Sequence, residues 1–232
     1  MELKLKNSYK EKGDKMDPII EFMQTEKLDK RNRFVFLNQL AQKGETLFVG
    51  SSLMEQFPIY ELLMNRGIKK TVYNRGIGGY TTDEMLDSME DMVFALEPSQ
   101  IFINIGTNDI GAMGYKLETL IEQYGKILSQ IKERLPQTKV YVMAYYPVNE
   151  TDKVPDAPWG RHLFDTRTNE NINLANQAIE KLANKFSYTF INVNHGLTDE
   201  HGKLKKEYTI EGIHMYANAY DVILDNLLPY LL

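Results

Sequence analysis

Four short segments of the sequence contain the residue types that acyl transfer requires. In chain order they are Gly50-Ser51-Ser52, Gly78-Gly79, Gly106-Thr107-Asn108-Asp109 and Glu211-Gly212-Ile213-His214. A serine hydroxyl attacks a carbonyl when a neighbouring base takes its proton, and histidine is the side chain best suited to that task near neutral pH. Glu211, three residues before His214, can hold the imidazole in the useful tautomer. These residues predict a serine nucleophile with His214 as its base.

The same segments offer hydrogen-bond donors for the oxyanion that such a reaction forms. Donors must already be aimed at the developing charge, and the loss of one typically costs about 3–4 kcal/mol. Gly79 has no Cβ, so its backbone N–H can come close, and Asn108 can offer its side-chain NH₂. The N–H of Ser52, at the start of a helix, is a third donor and adds the helix dipole.

Each serine and asparagine segment also has an ordinary structural interpretation. A Ser-Ser pair after a strand is more often a helix N-cap than a nucleophile. Asn108-Asp109 on its own would pass as a turn, with Asp109 bracing the loop that presents Asn108. The presence of all four segments favours Ser52 as the nucleophile and leaves Ser51 as a turn or cap residue.

Two segments could in isolation bind a cofactor or a metal. The glycines around Gly78-Gly79 resemble a phosphate loop, but the Gly-Lys-Ser/Thr ending of such a loop is missing. Glu211-x-x-His214 could be half of a metal site, but no second cluster of ligands is evident. We therefore expect neither a cofactor nor a metal, and a flavin- or nucleotide-binding protein is the less favoured alternative.

The elements between these segments would bring them to one edge of a sheet. Buried strands are predicted at Thr46–Gly50, Thr71–Asn74, Ile101–Ile105, Val140–Tyr145 and Tyr188–Val193. Helical patterns separate the strands, which predicts a three-layer α/β/α sandwich with a five-stranded parallel sheet in the flavodoxin-like order 2-1-3-4-5. Ligands bind at the carboxyl ends of such strands, where the serine, glycine and asparagine segments and the histidine loop would converge.

The chain is expected to form one domain over residues 1–232, with 1–44 as an N-terminal helical extension. Asp17-Pro18 is a favourable helix start, and Gly44 suits its end. The apolar residues of this helix could cover its own sheet, which we favour, or form a homodimer contact; they are Ile20, Met23, Phe34, Leu37 and Leu40. Helical spacing continues from a capping box at Thr81–Glu84 to Leu96, and Asn169, Asn173 and Asn176 are expected on a solvated helix face.

Composition restricts the possible partners. The 232 residues are 43% hydrophobic and carry a net charge of −5, and no basic stripe that would bind nucleic acid is present. The absence of cysteine excludes disulfides and thiolate chemistry. No apolar segment is long enough to span a bilayer, and the charged N-terminal segment lacks the apolar core of a signal peptide, so a cytoplasmic location is expected. The expected partner is a small-molecule ester.

These segments resemble the motifs of the SGNH-hydrolase superfamily of GDSL-type esterases and lipases, especially its platelet-activating-factor acetylhydrolase-like branch. The resemblance extends over roughly residues 46–228, and Gly106-Thr107-Asn108-Asp109 is its most specific part. It implies a fold, a reaction without cofactors and a set of catalytic residues, namely Ser52 as nucleophile, Gly79 and Asn108 at the oxyanion, and His214 with Glu211 as the base and its carboxylate.

Two residues depart from the pattern of that family. Ser51 stands where the family has an aspartate beside the nucleophile, and Glu211 stands where it has the aspartate of the triad. The resemblance implies ester hydrolysis, and the absence of a long lid-like apolar insertion favours short-acyl (acetyl-type) esters, with a carbohydrate or a lipid as the alcohol part. The two departures leave a catalytically weakened or inactive ligand-binding module as the alternative. The loop 148–165 carries Trp159, which could recognise a substrate or simply pin the loop.

Overall fold

The protein is described here by a computed structural model covering residues 17–152, 154 and 160–232. Its strands are β1 (Thr46–Gly50), β2 (Val72–Gly76), β3 (Gln100–Asn104), β4 (Lys139–Met143) and β5 (Thr189–Ile191). All neighbouring strands are parallel, and the sheet has the order β2-β1-β3-β4-β5. The predicted fold class and strand order are confirmed. The bounds predicted for β1 are those observed, and the bounds of the other four strands differ by one or two residues.

Helices cover both faces of this sheet. In chain order they are α1 (Pro18–Leu40), α2 (Ser52–Glu55), α3 (Ile59–Asn65), α4 (Thr82–Leu86), α5 (Met89–Met92), α6 (Thr107–Ile110), α7 (Leu117–Arg134), α8 (Asn169–Lys185) and α9 (Ala217–Leu231). Single 3₁₀ turns occur at Phe94–Leu96 and Gly160–His162. Within the described ranges, none of the helices combines the length and the apolar character needed to cross a lipid bilayer.

The alternation of side chains along the central strands divides the core into two layers. Leu47 and Val49 point to the layer formed with α4, α5, α7 and α8. Phe48 points to the opposite layer, which contains α2, α3 and α9, and its ring stacks on Phe102 with the ring centroids 4.8 Å apart. All five residues of β1 are buried, as expected for a central parallel strand covered on both faces. The sheet therefore holds the ends of β1 and β3 rigidly at the site.

The helix predicted from Thr81 to Leu96 is divided into α4, α5 and a 3₁₀ turn. Its start is as predicted, because Thr81 and Glu84 form the reciprocal hydrogen bonds of a capping box. The break falls at Asp87 and Ser88, two residue types that favour turns and caps over helix interiors. Ser88 is buried, with its hydroxyl 3.4 Å from that of Tyr80.

Helix α1 ends at Leu40 rather than near Gly44. The expectation that its apolar residues cover the sheet is wrong. Ile20, Leu37 and Leu40 are 49%, 49% and 84% exposed. The less exposed positions are polar apart from Phe34, and the residues that contact the rest of the chain are Lys27, Lys30, Arg31, Phe34 and Asn38. The extension thus attaches through ion pairs and hydrogen bonds rather than through an apolar stripe. Residues 1–16 and Trp159, to which expectations were also attached, lie outside the described residues.

The expectation that the asparagines of α8 lie on a solvated face is also wrong for two of them. Asn176 accepts the Tyr145 N–H at 2.7 Å and donates to the Tyr145 carbonyl at 3.3 Å. Asn169 makes the same pair of bonds with Val148, each at 2.9 Å. These amides satisfy backbone groups of the segment that follows β4.

Candidate active site

Ser52, His214 and Glu211 form a connected chain of side chains at the carboxyl edge of the sheet. Ser52 is the first residue of α2, directly after β1, and its Oγ lies 2.8 Å from His214 Nε2. Glu211 Oε1 contacts the other imidazole nitrogen, Nδ1, in a short hydrogen bond. A hydroxyl, an imidazole and a carboxylate in this order can move a proton from the hydroxyl to the imidazole.

The loop that carries Glu211 and His214 is held by the side-chain hydroxyl of Thr209. Thr209 Oγ1 accepts the Gly212 N–H at 2.8 Å and donates to the His214 carbonyl at 2.9 Å. Gly212 has φ +99°, and a Cβ there would lie 2.3 Å from the carbonyl oxygen of Asn149. Glycine is therefore required between the acid and the base, since both the conformation and the close approach exclude a side chain.

The carboxylate of Glu211 is kept ionised by its partner. Burial raises the pKa of Glu211, but the hydrogen bond and positive charge of His214 outweigh burial, so that the net shift is downward. The charged form can thus stabilise an imidazolium at His214. The extra methylene of glutamate, compared with the aspartate expected from the family pattern, does not break the contact with Nδ1.

Two of the predicted oxyanion donors are the backbone N–H groups of Ser52 and Gly79. Among the described residues, neither the Ser52 N–H nor the Gly79 N–H donates a hydrogen bond to another protein atom. Gly79 has φ +75°, in the left-handed region that glycine adopts without strain. Both N–H groups therefore stay available for an acceptor that the described residues do not supply.

Asn108, at the start of α6, joins the loops that follow β2 and β3. Its Nδ2 donates to the Tyr80 carbonyl at 2.9 Å, which leaves the second amide proton free of that bond. Asp109 accepts from the Thr82 N–H at 3.1 Å and from the Thr82 hydroxyl at 2.5 Å. Burial raises the pKa of Asp109, and the bonds from Thr82 oppose that shift. Asp109 thus braces the loop, as its position predicts.

Arg167 is a buried cation behind Asn108. Its Nε donates to the Thr107 carbonyl at 3.0 Å, and its Nη2 lies 3.4 Å from Asn108 Oδ1. Burial lowers the pKa of Arg167, while the negative charge of Glu211 acts in the opposite direction. The guanidinium fixes the amide oxygen of Asn108, so that the NH₂ group turns away from it.

Ser51 and Ser52 differ sharply in their surroundings. Ser51 occupies the N-cap position of α2 but makes no capping bond with its side chain. The residue is 1% exposed, and within the described part of the chain its hydroxyl has no hydrogen-bond partner. Of the two hydroxyls, that of Ser52 is the one within reach of His214.

Sequence reasoning identified neither Arg167 nor Glu55 as part of this region. Glu55 Oε2 accepts the Gly78 N–H at 2.5 Å, next to the glycine predicted at the oxyanion. Glu55 follows Ser52 by three residues, which places both on one side of a helix turn and could have drawn attention to it. Arg167 follows a long loop, and no spacing or motif marks it.

The part of the chain that the structure describes contains no group of three His, Cys, Asp or Glu side chains arranged to hold a metal ion. Glu211 and His214 are each engaged by the other. The donor set at the carboxyl edge of the sheet is that of a proton-transfer site with backbone hydrogen-bond donors beside it.

Comparison with known proteins defines the class. The model of the GDSL-like lipase/acylhydrolase family matches residues 48–222. The chain belongs to this family, and the ester hydrolase class predicted from its motifs is thereby confirmed. A protein of Streptococcus pneumonia, provisionally described as a platelet activating factor, has a similar structure with a TM-score of 0.82. It is 30% identical, and the match covers 92% of this chain and 96% of that one.

Two curated relatives show how far the similarity extends. The chain is 28% identical over 196 residues to an N-acylneuraminate cytidylyltransferase of Escherichia coli, which covers 84% of this chain but 41% of that protein. It is 24% identical over 194 residues to the platelet-activating factor acetylhydrolase IB subunit alpha2 of Rattus norvegicus, covering 83% and 78% respectively. The chain thus spans less than half of the first relative and most of the second.

Proposed function

We propose that the protein is a serine esterase in which Ser52 is the nucleophile and His214 the general base. The observation that carries the proposal is the 2.8 Å contact between Ser52 Oγ and His214 Nε2, with Glu211 on the opposite nitrogen of the same ring. Geometry of this kind is what a general base needs in order to take the proton of a hydroxyl nucleophile.

The reaction proceeds in two steps without a cofactor. Ser52 Oγ bonds to the ester carbonyl carbon while its proton passes to His214 Nε2, and the carbonyl oxygen becomes the oxyanion. The Ser52 and Gly79 N–H groups and the Asn108 amide bind that oxygen. The carbon–oxygen bond to the alcohol then breaks, and His214 protonates the alcohol. Water, deprotonated by His214, then bonds to the acyl carbon. The bond from that carbon to Ser52 Oγ breaks, His214 returns the proton to Oγ, and the carboxylic acid is released.

The substrates that fit best are short-acyl, acetyl-type esters of a carbohydrate or a lipid. In the described residues the connections near the site contain no long apolar insertion that would cover an extended acyl chain. The name of the rat relative, a platelet-activating factor acetylhydrolase subunit, supports an acetyl-type ester. Hydrolysis of p-nitrophenyl esters should be fastest for acetate and fall as the chain lengthens; a preference for long chains would contradict this substrate class.

Ser52→Ala tests the nucleophile, with Ser51→Ala as its matched control. Ser52→Ala should abolish hydrolysis of p-nitrophenyl acetate and labelling by a fluorophosphonate probe, because it removes the only atom that bonds to the acyl group. Ser51→Ala should retain both, since the Ser51 hydroxyl does not contact His214. Labelling of Ser51, or full activity of Ser52→Ala, would refute the assignment.

A ligand-binding module without catalysis is the second candidate, and the departures at Ser51 and Glu211 are its basis. The connected side chains of Ser52, His214 and Glu211 favour the enzyme, because binding alone requires no proton path. Folded wild-type protein that neither reacts with the probe nor hydrolyses any ester of the series would favour the module.

A further inference from the structure

Two lysines of α1 form ion pairs with the two carboxylates that hold the loop around Gly79. Lys27 Nζ lies 2.7 Å from Glu84 Oε1, and Lys30 Nζ lies 2.8 Å from Glu55 Oε1. The lysines are three positions apart and therefore lie on one face of α1. Their side chains are 19% and 30% exposed, so both pairs are partly shielded from solvent.

The same carboxylates accept backbone N–H groups at the two ends of that loop. Glu55 Oε2 accepts the Gly78 N–H at 2.5 Å, and Glu84 Oε2 accepts the Thr81 N–H at 2.9 Å. Residues 78–81 are thus held on both sides of Gly79 by charged acceptors. Glu55 uses its other oxygen for Lys30, whereas both oxygens of Glu84 accept from Lys27. Hydrogen bonds to a charged acceptor are stronger than neutral ones, so these anchors determine where the Gly79 N–H lies.

The ion pairs lie directly beside the proposed catalytic residues. A Cβ at Gly78 would be 2.8 Å from Glu55 Oε2, 3.7 Å from Lys30 Nζ and 3.8 Å from Ser52 Cβ. A Cβ at Gly79 would lie 3.0 Å from Lys27 Cε, so the Lys27 stem passes over that glycine. The charges of α1 are therefore within a few ångströms of the donors assigned to the oxyanion.

Helix α1 lies outside the part of the chain that the family model matches. The match begins at residue 48, whereas α1 ends at Leu40. Besides the packing of Phe34 against the core, its other contacts include Arg31 with Asp91 at 2.6 Å and Asn38 with the Asp91 carbonyl at 2.7 Å. Helix α1 therefore contacts the family fold through charged side chains next to the loop around Gly79, which points to a role in positioning that loop.

We propose that α1 is a positioning element of the active site, with Lys27 and Lys30 neutralising the carboxylates that anchor the oxyanion loop. The proposal rests on the proposed function, since it assigns the loop that holds Gly79 to the oxyanion. Glu55 and Glu84 supply hydrogen-bond acceptors to the loop, but their negative charges oppose the negative charge that develops on the carbonyl oxygen. The lysines cancel those charges while the acceptors stay in place.

Whether loss of the lysines changes kcat or KM depends on the stage of the reaction at which the oxyanion is present. The charge develops in the transition state and is absent in bound substrate, so loss of neutralisation lowers kcat and leaves KM nearly unchanged. The variant K27M/K30M keeps the aliphatic stems but leaves Glu55 and Glu84 ionised and unpaired. We expect its kcat to fall about tenfold, the scale of two partly exposed ion pairs.

A second variant separates neutralisation from mere loss of packing. K27M/K30M/E55Q/E84Q removes both lysines and both carboxylate charges, while each glutamine retains an oxygen for the Gly78 or Thr81 N–H. Its kcat should return to within about threefold of the wild type. K126M is the matched control, since Lys126 pairs with Glu122 on the exposed surface of α7. That variant should behave as the wild type.

The outcomes separate this inference from the proposed function. Equal kcat values for K27M/K30M and K126M, or a quadruple variant as slow as K27M/K30M, would overturn neutralisation. Hydrogen exchange of the Gly78 and Thr81 amides adds a readout that does not require hydrolysis. If the wild type has no esterase activity, the proposed function fails, and faster exchange in K27M/K30M than in K126M still supports positioning by α1. Unchanged exchange in that case overturns it.

Discussion

Glu211→Gln tests how much of the rate depends on the carboxylate beside His214. Two unit charges about 4 Å apart at an effective dielectric constant of about 20 attract by about 4 kcal/mol. The side chains of His214 and Glu211 are 30% and 15% exposed. Solvent therefore screens part of the attraction, and we take about half of it, about 2 kcal/mol. Because about 1.4 kcal/mol corresponds to a tenfold change in rate, kcat should fall about 30-fold.

The assay is the steady-state hydrolysis of p-nitrophenyl acetate by wild type, Glu211→Gln and Glu211→Asp. KM should stay within about twofold, because the imidazolium that Glu211 stabilises forms only on the way to the transition state. Glu211→Asp keeps the charge but shortens the side chain, and it should lose less activity than Glu211→Gln. Melting temperatures verify that all three proteins are folded. A folded Glu211→Gln variant with kcat within threefold of the wild type would refute the role of the charge.

Three further substitutions test the surroundings of the site. Ser51→Ala should leave the free energy of unfolding unchanged or raise it by up to about 1 kcal/mol, because it removes a buried hydroxyl without a partner among the described residues. Urea unfolding measures this, and a loss of more than about 1 kcal/mol would contradict it. Gly212→Ala should lower the melting temperature by about 4–8 °C, since its Cβ would meet the Asn149 carbonyl and its φ is +99°; an unchanged melting temperature would be inconsistent with that crowding. Asp109→Asn should become more stable relative to the wild type as pH rises above about 4, because the raised pKa of Asp109 makes the folded state retain the proton longer and ionisation then costs stability. Urea unfolding over a pH series measures this, and a difference in unfolding free energy that does not change with pH would contradict the shift.

The sheet and the proposed catalytic side chains could be predicted because each depends on local sequence. The apolar run Thr46–Gly50 has few alternatives to a buried strand, and the residues after a parallel strand must lie at its carboxyl edge. Ser52 lies two residues after β1 and Asn108 four residues after β3, so the topology places both at the carboxyl edge of the sheet. His214 lies in a long loop after β5, and its assignment relied on the spacing to Glu211.

The residues that were missed or misassigned act through contacts far apart in the sequence. Asn176 pairs with the backbone of Tyr145, and Arg167 contacts Asn108, at separations that no local pattern encodes. The apolar residues of α1 suggested that they form its buried face. Which face of a helix is buried depends, however, on the residues that it packs against. Opposite α1 lie carboxylates such as Asp91 and Glu84, which select basic and polar partners.

The attachment of α1 through charges has a consequence for how the site is held together. Apolar packing would bind the helix independently of salt, whereas partly exposed ion pairs weaken as ionic strength rises. Two of those pairs use the carboxylates that anchor Gly78 and Thr81, so the order of the loop and the docking of α1 are linked. Loosening the helix leaves the loop beside two unneutralised charges, and added salt both loosens the helix and screens those charges. In the wild type these two effects of salt on kcat oppose each other. In K27M/K30M only the screening of the carboxylates remains, and it favours the reaction. The kcat of K27M/K30M should therefore rise with salt relative to that of the wild type.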